Sequence, residues 1–108
     1  MSDAALARQL ATDAGRILMS LRRDGGLEGK ALGKAGDADA NRFLMAALRA
    51  ARPDDAILSE EEAPDLARLR FRRVWLVDPL DGTREYGEHR HDWAVHVALA
   101  IDGRIADG

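Results

Sequence analysis

The chain has 108 residues, 46% of them hydrophobic and 32% charged, which suits one globular domain with a modest core and excludes a disordered or fibrous chain. A net charge of -3 is too small for a polyanion-binding surface. The sequence has no cysteine, so disulfides and thiolate metal sites are excluded and hard oxygen ligands remain as the metal chemistry.

The N-terminal stretch "MSDAALARQLATDAG" carries an early acid and no apolar run of signal-sequence length. No stretch approaches the roughly 20 apolar residues of a membrane helix. Ser2 or Asp3 can cap a first helix, in which Leu6, Leu10, Ala14, Ile17, Leu18 and Leu21 recur at helical spacing. "DGG" at 24–26 ends it. The weakly patterned, Gly-containing segment Leu27–Gly36 reads as a loop or a poor hairpin. A second helix is expected near Ala38 to Ala51, burying Phe43, Leu44, Ala47 and Leu48. Asp37 or Asp39 would sit at its N-terminal end and Pro53 would stop it.

"DAILSEEE" reads as a short strand, Ala56 to Leu58, that empties into an acidic cluster; residues 65–70 suit one helical turn. "RVWLVD" is the next strand, and its unbroken apolar run from Val74 to Val77 predicts cover on both faces. From Trp93 the period becomes two: Trp93, Val95, Val97, Leu99 and Ile101 share one face, and Ala94, His96, Ala98 and Ala100 the other. Asp102-Gly103 is a two-residue hairpin signal, and Arg104, Ile105 and Ala106 begin a return strand. A hairpin that stops so soon leaves a strand edge open, so the expectation is the front portion of a longer domain.

The chemistry concentrates in "WLVDPLDGTREY", residues 75–86. Magnesium takes oxygen ligands, and two-metal sites hold their ions about 3.5–4 Å apart, so carboxylates must converge from several elements. Three sources are present: Glu60, Glu61 and Glu62 after one strand, Asp78 and Asp81 at the end of another, and Asp37 at the second helix. Pro79 stiffens the turn, and Asp78 and Asp81 can curl toward one centre with the Leu80 carbonyl between them. Gly82 permits close backbone approach. The Gly82 and Thr83 amides can face an anion if they start a helix, and the Thr83 hydroxyl can orient a water for in-line attack on phosphorus. The competing reading is plain: Asp-Gly pairs are common in turns, acidic clusters are usually solvated surface, and Asp37 alone suits a helix cap.

"WLVDPLDGTREY" resembles the signature of the inositol monophosphatase-like, magnesium-dependent phosphatases, with "LSEEE" matching their Glu-Glu motif. "GDADANRFLMAALRAARPDDAILSEE" has the layout of the helix that precedes that motif. "DPLDGTREY" looks most like the 3′(2′),5′-bisphosphate nucleotidase (CysQ-type) branch. The resemblance implies an α+β, layered α/β/α/β/α sugar-phosphatase fold, of which residues 1–108 are the N-terminal part, two helices on a largely antiparallel sheet.

It further implies that Glu60, Asp78, the Leu80 carbonyl and Asp81 ligate Mg2+, and that Asp81, Gly82 and Thr83 contact substrate. Thr83, assisted by Asp37, would activate water beside Glu60, with Glu61 in support. Lys30 or Lys34 occupies the place of a lysine near the metals. A further metal-binding aspartate and most leaving-group contacts belong to a later half of the family's sequences, so this chain alone is expected to be catalytically incomplete. The implied activity is hydrolysis of adenosine 3′,5′-bisphosphate to AMP and phosphate in cytoplasmic sulfate assimilation, with PAPS a related substrate; the alternative is an inositol-1-phosphate or fructose-1,6-bisphosphate phosphatase. The implied partner is a small phosphorylated substrate rather than a nucleic acid polymer, with homodimers frequent in the family.

Other residues carry less. His89 and His91 read as solvated, and His96 as a hydrogen-bonded interior histidine. Arg68, Arg70, Arg72 and Arg73 read as a solvated strand entry, and Trp75 and Trp93 as core.

Overall fold

The computed structural model describes residues 1–62 and 71–107. The helical turn expected at 65–70, with Arg68 and Arg70, lies outside the described residues. The elements in chain order are α1 (Asp3–Asp24), α2 (Gly29–Ala51), β1 (Ala56–Ser59), β2 (Arg73–Asp81), α3 (Thr83–Gly87), β3 (Ala94–Ile101) and β4 (Arg104–Asp107).

Ser2 caps α1 by accepting a hydrogen bond from the Ala5 amide at 3.1 Å, which leaves Asp3 in the first turn where a carboxylate suits the exposed amides. The expected stripe of α1 is buried at Leu6, Leu10, Ala14 and Leu18. Helix α2 differs from expectation: it begins at Gly29, not near Ala38, and takes in most of the segment read as a loop. Glycine lowers helix propensity by about 1 kcal/mol relative to alanine, so Gly29, Gly33 and Gly36 looked like breakers. Tertiary packing overrides that preference. A Cβ on Gly36 would lie 2.7 Å from Tyr86 Cε1 and 3.0 Å from Leu18 Cδ2, and one on Gly87 would collide with the Gly29 carbonyl oxygen. At Gly33 and Gly36 the helix passes too close to its neighbours for side chains, whereas Gly29 has open space around it and is set apart by its φ of 61°.

The strands form one mixed sheet in the order β1-β2-β3-β4. β1 runs parallel to β2, and β2–β3 and β3–β4 are antiparallel. Trp75 faces Leu99 and Val77 faces Val97 across the β2–β3 ladder, and all four are buried against Leu6, Leu10, Leu44 and Leu48 of α1 and α2. Both helices therefore cover the same sheet face. The other face, with Val74, Leu76 and Ala98, is only half-buried, so the double cover expected of β2 is not found among the described residues. An unbroken apolar run shows that both faces are apolar, not that both are covered. The hairpin forms as its sequence requires: Asp102 and Gly103 have φ of 52° and 79°, the paired positive values of a tight β-turn.

Two arrangements pin the helices to the sheet. Asp55, just ahead of β1, accepts from Arg73 Nε at 3.0 Å and from Trp75 Nε1 at 2.9 Å. Arg73 continues to Asp3 at 3.0 Å, and Arg52 reaches Asp3 at the same distance. The Arg52 hydrogen bond, with Arg73 beside it, holds the Asp3 carboxyl below its ordinary range against the opposing effect of burial. Arg73 is thus ion-paired and partly buried, while Arg72 is exposed and, among the described residues, pairs with Asp102.

The second arrangement lies around α3. Leu18, Leu32, Ala40, Leu80 and Tyr86 form a small separate core. The buried Tyr86 hydroxyl donates to the Leu18 carbonyl at 2.7 Å, its ring meets the half-buried Trp93 edge-on at 5.2 Å, and the Arg22 guanidinium lies 5.3 Å from the Tyr86 ring centre.

Candidate active site

β2 ends in the sequence Asp78-Pro79-Leu80-Asp81, and each residue there has a different surrounding. Asp78 is half-buried and stands opposite His96 in the ladder. The register then shifts, so that Asp81 pairs with Ala94 and the strand bends. Leu80 turns its side chain into the small core. Gly82 follows with φ 84°, and a Cβ there would lie 2.8 Å from the Asp92 carbonyl oxygen, so only glycine fits both the conformation and the space. That turn starts α3 at Thr83 and aims its side chain at α2.

The Thr83 hydroxyl lies 3.2 Å from Asp37 Oδ2, 3.5 Å from Asp37 Oδ1 and 3.2 Å from the Leu80 carbonyl oxygen. Two segments 46 positions apart in sequence, the end of β2 with the start of α3 and the middle of α2, meet at this point. Asp37 sits well inside α2, so the expectation that it occupies the helix N-terminal end is corrected. It is held by helix packing rather than as a cap.

Burial raises the Asp37 carboxyl from its ordinary 3.8 to about 6. The negative charge of Glu61 adds to this, as do Asp78 and a hydrogen bond with Glu61, while the bond from Thr83 opposes it.

The acidic segment after β1 is arranged by a residue that the sequence reading passed over. Asn41, one turn beyond Asp37 on α2, accepts from the Ser59 hydroxyl at 2.5 Å and donates to Glu62 Oε2 at 3.1 Å. Ser59 is buried, and its oxygen also accepts from the Glu61 amide at 3.3 Å. The i, i+4 spacing from Asp37 was the available signal. Glu60 continues the β1–β2 pairing through its amide, 3.1 Å from the Val77 carbonyl oxygen, and its residue is exposed. Of the three glutamates, it is Glu61 that acts on Asp37.

Asp81 is exposed and lies 3.0 Å from His96 Nε2. His96 is exposed too, not interior as its strand position suggested, because the small-residue face of β3 is uncovered at that point. His89 is exposed with φ 60°, and His91 is exposed; both fit the solvated reading. Lys30 and Lys34 line an open groove of about 1220 Å³ along α2, together with Asp37, Glu61 and Thr83.

Among the described residues, no three His, Cys, Asp or Glu side chains gather closely enough to hold a metal ion. The donor set nevertheless suits a hard cation in kind. Glu61 and Asp78 both bear on Asp37 with like charge, and among the described residues none of the three has a lysine or arginine partner. A divalent cation is the usual solution to such uncompensated oxygen charge.

Residues 2–108 match the profile of the inositol monophosphatase family, and the chain belongs to that family. It is 53% identical over 112 residues to the 3′-phosphoadenosine 5′-phosphate phosphatase of Mycobacterium leprae, covering 100% of this chain and 41% of that protein. It is 36% identical over 104 residues to the 3′(2′),5′-bisphosphate nucleotidase CysQ of Escherichia coli O157:H7, covering 89% of this chain and 42% of that protein. Among solved structures, inositol monophosphatase-II from Staphylococcus aureus superposes with a TM-score of 0.84 at 25% identity, over 97% of this chain and 39% of that one. CysQ from Bacteroides thetaiotaomicron gives 0.81 at 27% identity, over 96% and 40%. The α+β arrangement of helices on a mixed sheet is thus that of inositol monophosphatase-like proteins, and the chain spans about two fifths of the length of these relatives.

Proposed function

We propose that this chain carries the phosphate- and metal-binding front of a magnesium-dependent phosphatase that hydrolyses adenosine 3′,5′-bisphosphate to AMP and phosphate. One observation carries the reading: the Thr83 hydroxyl lies 3.2 Å from both the Asp37 carboxylate and the Leu80 carbonyl oxygen, with Asp78 near enough to act on Asp37. A carboxylate so placed can take a proton from a water that the hydroxyl orients. In the proposed reaction Thr83 orients the attacking water; as the water oxygen bonds to phosphorus, its proton passes toward Asp37, the bond from phosphorus to the 3′ oxygen breaks, and that oxygen takes a proton from solvent to leave as the AMP hydroxyl. The Gly82 and Thr83 amides and Asp81 would hold the phosphoryl oxygens.

Asp78, the Leu80 carbonyl, Asp81 and Glu60 would hold magnesium, with Glu61 supporting from beside Asp37. When bound, the cation would neutralise phosphoryl charge and acidify the attacking water. The nucleotide substrate is favoured by the activities for which the relatives from M. leprae and E. coli are named; a place in cytoplasmic sulfate assimilation is proposed with it.

The test is phosphate release by the protein expressed from its complete reading frame, with adenosine 3′,5′-bisphosphate, inositol-1-phosphate and fructose-1,6-bisphosphate, in magnesium and in EDTA. Release from the nucleotide that requires magnesium and is abolished by Asp78→Asn is the expected result. Preference for either sugar phosphate would replace the substrate assignment. No release from any of the three would overturn the phosphatase reading.

A further inference from the structure

We propose that Gly33 is a positioning residue for the Thr83 hydroxyl: the absence of a side chain at 33 lets Thr83 hold the one rotamer that reaches Asp37. This rests on the reading of Thr83 and Asp37 as the water-activating pair. Gly33 is buried on α2, four residues before Asp37, so both face α3. A Cβ on Gly33 would lie 2.7 Å from Thr83 Cγ2 and 3.2 Å from the Thr83 carbonyl oxygen.

The threonine methyl and hydroxyl share one carbon. Turning the methyl away from an intruding Cβ therefore swings the hydroxyl off Asp37 and off the Leu80 carbonyl, both of which it meets at 3.2 Å. The β-branched side chain has few other wells to occupy. Backbone retreat is blocked on both sides. Gly82 is already packed against Asp92 and Trp93, and α2 is seated through Gly36 against Tyr86 and Leu18.

Gly33 itself has no positive φ, so alanine suits the backbone and is the better helix former. What excludes a side chain is the neighbour, not the backbone. Gly15 on α1 offers the contrast, since nothing lies within 4 Å of a Cβ placed there.

The experiment is a cycle of Gly33→Ala, Thr83→Ser and the double variant in the protein from its complete reading frame, with Gly36→Ala and Gly15→Ala as comparisons. It reads kcat, KM and thermal midpoint. Serine keeps the hydroxyl and deletes the methyl that the new Cβ would strike. With threonine at 83, Gly33→Ala is expected to lower kcat by about 10²-fold, the scale of a 1 Å misplacement. With serine at 83, the same change is expected to cost less than about 10-fold.

Gly36→Ala strikes Tyr86 rather than Thr83, so its loss should be the same in both backgrounds, and Gly15→Ala should cost no activity. A methyl that merely narrowed the groove would act equally with threonine or serine, so a background-independent loss overturns the proposal, as does Gly33→Ala with undiminished kcat. Absence of phosphate release by the unsubstituted protein overturns the phosphatase reading by itself. The contact is then judged by the melting cycle, where additive shifts for Gly33→Ala and Thr83→Ser overturn it and recovery in the double variant supports it.

Discussion

The Thr83 hydroxyl and the Asp37 carboxylate meet at 3.2 Å across 46 positions of sequence, with the Leu80 carbonyl at the same distance from that hydroxyl. Replacing Thr83 by valine keeps the shape and removes the hydrogen bond. Phosphate release by the protein from its complete reading frame should fall by about 10²–10⁴-fold, the range for losing a positioned proton-transfer group. Circular dichroism should show an intact fold. Undiminished release would place the water-activating group elsewhere.

Asp37 should also mark the pH dependence of stability in metal-free protein. Its carboxyl titrates near 6 when folded against an ordinary 3.8, mainly because burial disfavours the charge. The folded state therefore prefers the neutral acid. Below about pH 4 both states are neutral and the site carries no penalty. The penalty grows between about pH 4 and pH 6 and is complete above that. Asp37→Asn should thus stabilise the protein at pH 8 in EDTA and leave it unchanged at pH 3.5. The two-unit difference corresponds to about 3 kcal/mol at most, and partial exposure reduces the expected gain to about 1–2 kcal/mol. Urea melts at the two pH values decide it, and an equal effect at both would be contrary.

Asn41 should be sensitive to its partner. Asn41→Leu leaves the buried Ser59 hydroxyl without its acceptor, a loss of about 1–3 kcal/mol. Adding Ser59→Ala removes the stranded group and should return part of that loss. A double variant as unstable as the sum of the two single variants would show that the pair is not coupled.

The strongest structural effect is expected at Asp55, whose side chain is 8% exposed and serves both Arg73 and Trp75. Asp55→Ala leaves a partly buried guanidinium with one partner fewer and the indole N–H with none. The expected destabilisation is about 3 kcal/mol, accompanied by a change in tryptophan emission. A loss below about 1 kcal/mol would reduce this network to ordinary surface pairing.

Much of this arrangement was legible in the sequence, and for identifiable reasons. Helix α1 showed its cap and its stripe, β3 showed its alternation, and Asp102-Gly103 showed its turn; these are local signals that tertiary packing reinforces. The "DPLDGT" segment was legible as a bent strand end because proline, glycine and two acids each restrict what the backbone can do there. The first half of α2 was not. Gly33 and Gly36 are required by neighbours distant in sequence, and a local reading sees only their low helix propensity. The exposure of His96 was hidden for a related reason: alternation assigns a residue to a face but does not say what covers that face. Among the three consecutive glutamates, no pattern could show that Glu61 is the one that acts on Asp37.

Leu80 belongs to two environments at once, with its side chain among Leu18, Leu32, Ala40 and Tyr86 and its carbonyl oxygen on the Thr83 hydroxyl. A change of volume at Leu18, in a helix that contributes no polar group to the site, is expected to tilt the Leu80 peptide and so re-aim an acceptor that stands between Asp78 and Asp81. The proposed activity is therefore expected to respond to purely apolar substitutions. Variants with altered turnover should arise in the greasy interior of α1 and α2 as well as among the charged residues that line the groove.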